Sequence, residues 1–145
     1  MGHPNADLLR RAYEAAGTGD LQPLLDALAD DVTWRDSSLG PLAGEYHGKD
    51  EVLAFFGKMM EVYAGTLRLE VHDVLASDDH GVVLTRERGQ TAGGPVSWTG
   101  THIWTFRDGR CTEFVAMNDG VYNRFWATRG SGSAASPAWT GRFPR

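Results

Sequence analysis

The spacing of the apolar residues changes at Gly65. Before Gly65 they recur every three or four positions, as on one face of an α-helix, and after it they alternate with polar residues, as in a half-buried β-strand. Helices followed by a run of antiparallel strands predict an α+β domain. A strongly curved antiparallel sheet can wrap helices that pack at one side of it, so we expect a pocket between the two.

Three helices are predicted in the first half of the chain. The first runs from about Asn5 to Ala16 with Asn5 as its N-cap, and the second starts at Asp20. The third opens after Gly48 and ends at Gly65, because glycine readily terminates an apolar helical stripe. A further helical turn, Val121–Trp126, is predicted after the last strand.

Five strands are predicted, the first of which, Val32–Asp36, lies between the second and third helices. Residues 37–47 after it are predicted to form a loop, because they carry three turn-forming Gly and Pro residues. The strands after Gly65 are predicted at Leu67–Leu75, Val82–Thr91, Val96–Phe106 and Cys111–Asn118. In the strand Leu67–Leu75, strict alternation would place every second residue on the same face, namely Leu67, Leu69, Val71, Asp73 and Leu75.

The chain length of 145 residues suits one domain with its own core. We assign residues 1–126 to this domain and residues 127–145 to a tail that is rich in Gly, Ser and Ala. Such a composition predicts a flexible linker, which here is followed by two apolar residues, Trp139 and Phe143. The tail is either disordered or docks through these two residues on its own domain or on a partner chain.

The charge and the cysteine content exclude several classes of function. A net charge of -5, from 14 basic and 19 acidic residues, disfavours nucleic acids and anionic membranes as partners. The single cysteine, Cys111, rules out an internal disulfide, and the histidines show no metal-ligand spacing. Neither a secretory signal nor an apolar run of about 20 residues is present. We expect a cytoplasmic protein that needs no metal or cofactor.

Several short segments occur in a characteristic order between residues 6 and 126. They are Tyr13-Glu14, Gly19-Asp20-Leu21, Leu28–Trp34, Tyr46–Val52 with Phe56, and Phe106–Arg110. Together they resemble the SnoaL-like and ketosteroid-isomerase-like branch of the nuclear-transport-factor-2-like superfamily. The resemblance implies a cone-shaped α+β barrel, with three N-terminal helices packed in a strongly curved antiparallel sheet. It also implies a homodimer formed through the outer face of the sheet, where we expect Thr99, Thr101, Ile103 and Thr105.

Asp36 is the first candidate catalytic residue. It shares a strand face with Val32 and Trp34, so its carboxylate ends an otherwise apolar surface. The resemblance implies that Asp36 is a general base that removes a proton next to a carbonyl group, which requires a poorly solvated carboxylate. An Asp that caps the following loop through Ser37 and Ser38 is the alternative, and both interpretations remain open.

His102 and Tyr13 are the other candidate catalytic residues. The resemblance implies that His102 donates a hydrogen bond to the oxygen anion of the substrate, and a histidine can do so whether neutral or charged. The alternative is a core histidine whose nitrogens are satisfied by the backbone. The resemblance also places an oxyanion-donating tyrosine near Tyr13, although here we expect Tyr13 mainly to pack, with its hydroxyl at the rim of a cavity.

Large apolar side chains cluster on the predicted inner face. The predicted substrate-binding residues are Trp34, Phe56, Met60, Trp98, Trp104, Phe114 and Asn118. The aromatic members suit a pocket for a flat apolar molecule, but they would equally fill a closed core. Phe56 and Met60 lie at helical spacing and are likewise either ligand-facing or part of the core.

Two positions depart from other chemistries of the superfamily. Ala116 stands where SnoaL-type cyclases and limonene-epoxide-hydrolase-like proteins place an acid on the last long strand. Glu87 and Gly89 stand where those hydrolases use an Arg and an Asp. Glu87 can face inward with Thr85 but has no predicted partner. Asp119 either substitutes for the missing acid or, as we favour, caps the next helical turn.

These observations lead to three functional hypotheses. The first is an enzyme that abstracts a proton from an apolar carbonyl compound, polyketide- or steroid-like, and isomerises or cyclises it. The second is a non-catalytic protein that binds a small hydrophobic ligand. The third is a dimerisation module whose pocket is filled by its own side chains.

Overall fold

The computed structural model describes residues 2–129, which form an α+β fold as predicted. The helices are α1 (Pro4–Gly17), α2 (Gln22–Asp26), α3 (Gly48–Val62) and α4 (Gly120–Arg129). The strands are β1 (Leu28–Asp36), β2 (Gly44–His47), β3 (Arg68–Ala76), β4 (His80–Thr91), β5 (Gly94–Arg107) and β6 (Arg110–Asn118). The alternating pattern after Gly65 therefore predicted all four strands that follow it.

The six strands form one curved sheet in the order β2-β1-β6-β5-β4-β3. The sheet is not closed, because β2 and β3 remain its two edges, so the predicted barrel is open. The predicted sheet was wholly antiparallel, but β1 and β6 pair in parallel. In the sheet β1 lies beside the last strand, although β2, α3 and β3–β5 lie between the two in sequence.

Strand β2 lies inside the segment that was predicted to be a loop. It pairs antiparallel with β1, from Thr33 opposite His47 to Asp36 opposite Gly44. Tyr46 is its only large apolar residue and three of its four residues are exposed. The strand is therefore held by backbone pairing at a sheet edge and leaves no alternating hydrophobic pattern to detect.

A register shift in β3 overturns the face that strict alternation predicted for this strand. The shift lies between Val71 and Asp73, where an irregularity reverses the inside and the outside of the strand. As a result Val74 is buried, whereas Asp73 is exposed and Leu75 is 54% exposed. A bulge of this kind has no apolar signature of its own in the sequence.

The ends of the first two helices differ from the prediction by a few residues. Helix α1 begins at Pro4, and the N-cap is His3, whose Nδ1 accepts a hydrogen bond from the backbone N–H of Asn5. The Asn5 side chain instead donates to the backbone oxygens of Ser77 and Asp78. Helix α2 begins at Gln22, whose N–H donates to the Asp20 carboxylate.

Helix α4 packs on β5, and Asp119 caps its first turn, which is the interpretation of Asp119 that we favoured from the sequence. Asp119 Oδ1 accepts a hydrogen bond from the N–H of Tyr122, and its other oxygen accepts from Thr99. The helix continues to Arg129, so residues 127–129 are helical and do not belong to the predicted linker. The remainder of the predicted tail, including Trp139 and Phe143, lies outside the described residues.

Among the described residues, the helices cover one face of the sheet and leave the other face without helices. Helix α3 packs on β1, α1 on β3, and α4 on β5, so the core lies on this covered face. On the opposite face, Thr101, Ile103 and Thr105 are half-buried and Thr99 is exposed. The homodimer expected through this face stays a prediction. Between residues 2 and 129, no helix has both the length and the hydropathy to span a membrane.

Candidate functional site

A cavity of about 450 Å³ lies between the helices and the covered face of the sheet. All ten residues that were predicted for the site line this cavity. They are Tyr13, Trp34, Asp36, Phe56, Met60, Trp98, His102, Trp104, Phe114 and Asn118. The structure therefore brings the whole predicted set together, while the roles of its members stay predictions.

Three aromatic rings form a row across the floor of the cavity. Trp34 pairs with Phe114 in the sheet, and Phe114 pairs with Trp104 on its other side. The Trp34 and Phe114 rings stack with centroids 3.7 Å apart, and Trp104 meets Phe114 edge-on at 4.8 Å. The edge-on contact is a favourable geometry for an aromatic pair, and together the three rings give the cavity an apolar wall.

Beside the aromatic row, three paired residues on neighbouring strands also face the cavity, and the two outer ones are polar. Asp36 pairs with Ala116, which in turn pairs with His102 on the following strand. Side chains two residues apart on a strand point to the same face, so this row lies beside the aromatic one. The central residue carries only a methyl group, which leaves open space between the carboxylate and the imidazole.

Asp36 both caps the following loop and lines the cavity. It is 5% exposed, and its Oδ1 accepts a hydrogen bond from the backbone N–H of Ser38 at 2.9 Å. Burial raises the pKa of Asp36 above its ordinary value, while the hydrogen bonds from Ser38 act in the opposite direction. The two interpretations of Asp36 are therefore compatible, because a single carboxylate serves in both.

His102 contacts side chains at both ring nitrogens, in contrast to a core histidine satisfied by the backbone. Its Nδ1 lies 2.6 Å from the hydroxyl oxygen of Tyr13, and its Nε2 lies 3.6 Å from Oε2 of Glu87. Glu87 is 8% exposed, and it accepts a hydrogen bond from the Thr85 hydroxyl at 2.8 Å. Glu87 therefore faces inward, as predicted, but the expectation that it has no partner was wrong.

A glycine makes the contact between Glu87 and His102 possible. Gly100 precedes His102 by two residues on the same face of β5, and it pairs with Thr85 on β4. A Cβ atom at Gly100 would lie 2.7 Å from Glu87 Oε2 and 2.6 Å from Thr85 Oγ1. The Glu87 carboxyl group thus occupies the space that a side chain at position 100 would fill. Gly100, two residues before His102 on the same strand face, was therefore the sequence signal for this contact.

Tyr13 takes part in hydrogen bonding within the cavity and does more than pack at its rim. Its hydroxyl oxygen accepts a hydrogen bond from Nε1 of Trp104 at 3.1 Å, in addition to its contact with His102. Burial raises the pKa of Tyr13 well above its ordinary value, so the residue stays a neutral phenol. A neutral phenol retains one proton that it can donate.

Two further hydrogen bonds between side chains line the cavity. Trp98 Nε1 donates to Asn118 Oδ1 at 3.1 Å, and the Tyr63 hydroxyl donates to the Tyr122 hydroxyl at the same distance. Met60 also lines the cavity but is 60% exposed, which places it where the cavity meets solvent.

The remaining reactive groups give no second chemistry within residues 2–129. Burial raises the pKa of the Cys111 thiol to about 12, so this sulfur is not a ready nucleophile. In the same residues, no group of three or more His, Cys, Asp and Glu side chains could hold a metal ion. The chemistry of the site thus rests on Asp36, Glu87, His102 and Tyr13.

Comparisons with known proteins assign the chain to a family. The SnoaL-like domain matches residues 9–114. An uncharacterised protein of Mycobacterium bovis is 33% identical over 125 residues, which are 83% of this chain and 95% of that protein. A nuclear-transport-factor-2-like protein of unknown function from Burkholderia pseudomallei is 30% identical, with a TM-score of 0.76 over 89% of this chain and 98% of that one.

A further solved structure supports the same fold at lower identity. Bal32a, from a soil-derived mobile gene cassette, has a TM-score of 0.77 at 24% identity and covers 85% of this chain and 96% of its own. This likeness concerns the arrangement of helices and strands alone. The match to the domain extends over more than half of the chain, and the identity to the mycobacterial protein extends over most of it. The chain belongs to the SnoaL-like family.

Proposed function

We propose that this SnoaL-like protein is an enzyme that removes a proton next to the carbonyl group of a flat apolar compound, using only its own side chains. The observation that carries the proposal is that a buried carboxylate, Asp36, and a hydrogen-bonded donor pair, Tyr13 and His102, line one aromatic cavity. A base and an oxyanion donor on opposite sides of an apolar space are the two groups that enolate formation needs.

Asp36 is assigned the role of base. Its carboxylate would accept the proton from the carbon, and the electrons of the broken C–H bond would form the carbon–carbon double bond of the enolate. Burial raises the pKa of Asp36 and so brings its basicity closer to what this proton transfer requires. In a ketone with a β,γ double bond the enolate is a dienolate, and return of the proton from Asp36 to the γ-carbon would complete an isomerisation. Attack of the enolate carbon on a second carbonyl group would instead close a ring, and Asp36 would return its proton to the alkoxide that forms.

Tyr13 is assigned the direct hydrogen bond to the enolate oxygen. Both ring nitrogens of His102 already face protein groups, Tyr13 and Glu87, so His102 is better placed to support Tyr13 than to contact the ligand. A donor that is fixed in place before the reaction can stabilise the negative charge as it develops without reorganising. The base and the donor would thus act on two atoms of the same carbonyl compound.

The aromatic residues are assigned to binding and to the exclusion of water. The volume of about 450 Å³ lies within the range of roughly 300–1,000 Å³ that is typical of small-molecule sites. Trp34, Trp104 and Phe114 present ring surfaces along one wall, which suits a planar apolar skeleton. A polyketide- or steroid-like ketone would match this shape, and 2-tetralone is a small probe of the same chemistry.

The test is deuterium incorporation into 2-tetralone in D₂O, followed by proton NMR. The wild-type protein should accelerate exchange at the carbons beside the carbonyl group. Replacement of Asp36 by Asn should lower this rate about 100-fold or more, because a positioned base typically contributes that much. Asp30→Asn is the matched control, since the Asp30 side chain is on the same strand and 97% exposed.

The binding hypothesis predicts a different outcome in the same experiment. A non-catalytic pocket protein would bind 2-tetralone without accelerating exchange, and the Asp36→Asn variant would behave like the wild type. That result would contradict the proposed enzyme. Equal loss of exchange in the Asp30→Asn control would also contradict it, because the effect would then not depend on the carboxylate in the cavity.

A further inference from the structure

Glu87, His102 and Tyr13 contact one another in turn and form a polar row inside the mainly apolar cavity. This polar row is distinct from the row of Asp36, Ala116 and His102 described above. The row begins at the Thr85 hydroxyl, which donates to Glu87, and runs through the imidazole to the phenol of Tyr13. It brings together residues of β4, β5 and α1 that are distant in sequence. Neither the capping of Asp36 nor the aromatic packing requires this row, so its geometry calls for a separate explanation.

The proton of Tyr13 can serve only one acceptor. Trp104 Nε1 donates to the Tyr13 oxygen, so the remaining question is the direction of the hydrogen bond to His102 Nδ1. If Nδ1 carries no hydrogen, Tyr13 donates to it and has no proton left for a ligand. If Nδ1 carries a hydrogen, it donates to Tyr13, and the phenol proton is free for a ligand oxygen. Nε2 faces a carboxyl oxygen of Glu87, so when that oxygen also accepts a hydrogen from Nε2, both nitrogens are protonated.

Glu87 is placed to favour the doubly protonated imidazole. Its Oε2 accepts the Thr85 hydroxyl, as expected of an ionised carboxylate, and it lies 3.6 Å from Nε2. Both side chains are at most one-tenth exposed, so solvent screens their attraction only weakly. Oε2 of Glu87 lies over Gly100, where an added Cβ atom would approach it to 2.7 Å.

We propose that Glu87 is a positioning residue that holds His102 as an imidazolium, so that the hydroxyl of Tyr13 donates to the oxygen of the bound ligand. This inference rests on the proposed function for the identity of that oxygen, which is the carbonyl or enolate oxygen of the substrate. Beyond the proposed function, the role of Glu87 implies a preference for ligands that present an oxygen anion or a strong hydrogen-bond acceptor at Tyr13. Glu87 acts through His102 and does not itself touch the ligand.

The other ionisable groups around His102 are compatible with this charge distribution. Helix α1 contributes Tyr13, β4 contributes Glu87, and β1 contributes Asp36, which interacts electrostatically with both His102 and Glu87. Strand β6 contributes Ala116 and Phe114, which carry no charge. Asp36 and His102 are separated by Ala116 on β6, whereas Glu87 lies 3.6 Å from Nε2, so Glu87 is the carboxyl group placed to pair with the imidazole.

The test compares the binding of 2-naphthol with that of 2-methoxynaphthalene by isothermal titration calorimetry. The two probes have similar flat skeletons, but only the first can present an oxygen anion. The wild type should prefer 2-naphthol by roughly tenfold or more, the value of a hydrogen bond to a charged group. Glu87→Gln should remove most of this preference while leaving the affinity for 2-methoxynaphthalene within about twofold.

Nitrogen NMR of the labelled imidazole gives a second measurement that a purely structural role would not change. In the wild type bound to 2-naphthol, both nitrogens of His102 should carry a proton, whereas in Glu87→Gln one should not. The His102→Asn variant identifies the signal, and Thr85→Val should give an intermediate result because it removes only the hydroxyl that supports Glu87. Glu61→Gln, on the exposed surface of α3, is the matched control and should resemble the wild type.

The outcomes separate this inference from the proposed enzymatic function. An unchanged probe preference and an unchanged imidazole in Glu87→Gln would overturn the role of Glu87, whatever the exchange assay shows. In contrast, Asp36→Asn should lose exchange of 2-tetralone but keep the preference for 2-naphthol. A protein without any exchange activity that still shows the Glu87-dependent preference would retain this inference and lose the proposed reaction.

Discussion

Asp36 and His102 lie on either side of strand β6 and pair with the same residue, Ala116. Two strand spacings separate their backbones, which is about 9–10 Å. This width accommodates the thickness of a flat molecule that stands between the two side chains. Between the carboxylate of Asp36 and the imidazole of His102, Ala116 presents only a methyl group.

The first prediction concerns this central position. Ala116→Leu should fill the space between Asp36 and His102 and lower the affinity for 2-naphthol by roughly tenfold or more, because a few buried carbon atoms would occupy the ligand volume. Calorimetry measures the affinity, and urea unfolding should show a stability change within the roughly 1–3 kcal/mol expected for added core volume. Val115→Leu adds volume on the other face of β6 and should bind normally.

The second prediction concerns the pH dependence of stability. The pKa of Asp36 is higher in the folded protein than the 3.8 of an exposed aspartate, so the folded state binds more protons between the two values. This group therefore lowers the free energy of unfolding as the pH rises through that interval. The stability of Asp36→Asn relative to the wild type should therefore increase as the pH rises above the ordinary pKa of an aspartate, about 4, and should level off above the raised pKa of Asp36.

Urea unfolding at a series of pH values measures this difference. Asp30→Asn, which removes an almost fully exposed carboxylate, should show no such trend. A constant difference between Asp36→Asn and the wild type over the whole pH range would refute the claim that burial penalises the charged form of Asp36.

The third prediction uses the glycine beside His102. Gly100→Ala would bring a Cβ within 2.7 Å of Glu87 Oε2, and the carboxyl group is the end of a flexible side chain that can move away. The variant should therefore fold and should lose the preference for 2-naphthol over 2-methoxynaphthalene, as Glu87→Gln does. Gly57→Ala, where a Cβ meets no atom within 4 Å, is the control. Wild-type preference in Gly100→Ala would contradict the arrangement described for Glu87.

The fourth prediction concerns how α4 supports the base. Asn123 is 5% exposed and its Oδ1 accepts the backbone N–H of Leu39, which follows the Ser38 N–H that binds Asp36. Asn123→Ala should cost about 1–3 kcal/mol of stability, because it leaves a half-buried donor without a partner. It should also lower the exchange rate, since the loop that orients Asp36 loses its anchor.

Asn5→Ala provides the comparison for this effect. Asn5 is 7% exposed and anchors a different loop, at Ser77 and Asp78, away from the cavity. It should lose a similar amount of stability without a change in exchange at temperatures at which both variants are folded. If the two variants lost activity in parallel, the effect of Asn123 would be one of global stability.

The sequence predicted the lining of the cavity because alternation alone determines which face of a strand a residue occupies. Trp34 with Asp36, and Trp98 with His102, are each separated by an even number of residues, so their faces follow from the strand assignment. The contact of Glu87 with His102 does not follow in this way. Glu87 pairs with Trp98, four residues before His102, and reaches the imidazole only because its long side chain crosses a glycine.

Three backbone features were not predictable, for related reasons. Strand β2 is an edge strand with few apolar residues, and the shift in β3 reverses its faces without changing its composition. The parallel pairing of β1 with β6 is a contact between distant segments, which a pattern confined to neighbouring residues cannot reveal. Local periodicity thus specified the elements, whereas long-range pairing decided how their side chains meet.

The aromatic row also makes the cavity visible to spectroscopy. Of the four tryptophans between residues 2 and 129, Trp34, Trp98 and Trp104 line the cavity. The emission of an indole depends on the polarity and the quenching groups around it, and here Trp104 donates to a phenol within the polar row. Entry of a ligand should therefore change the intrinsic fluorescence of the protein, so that compound libraries can be screened without a label or a known reaction.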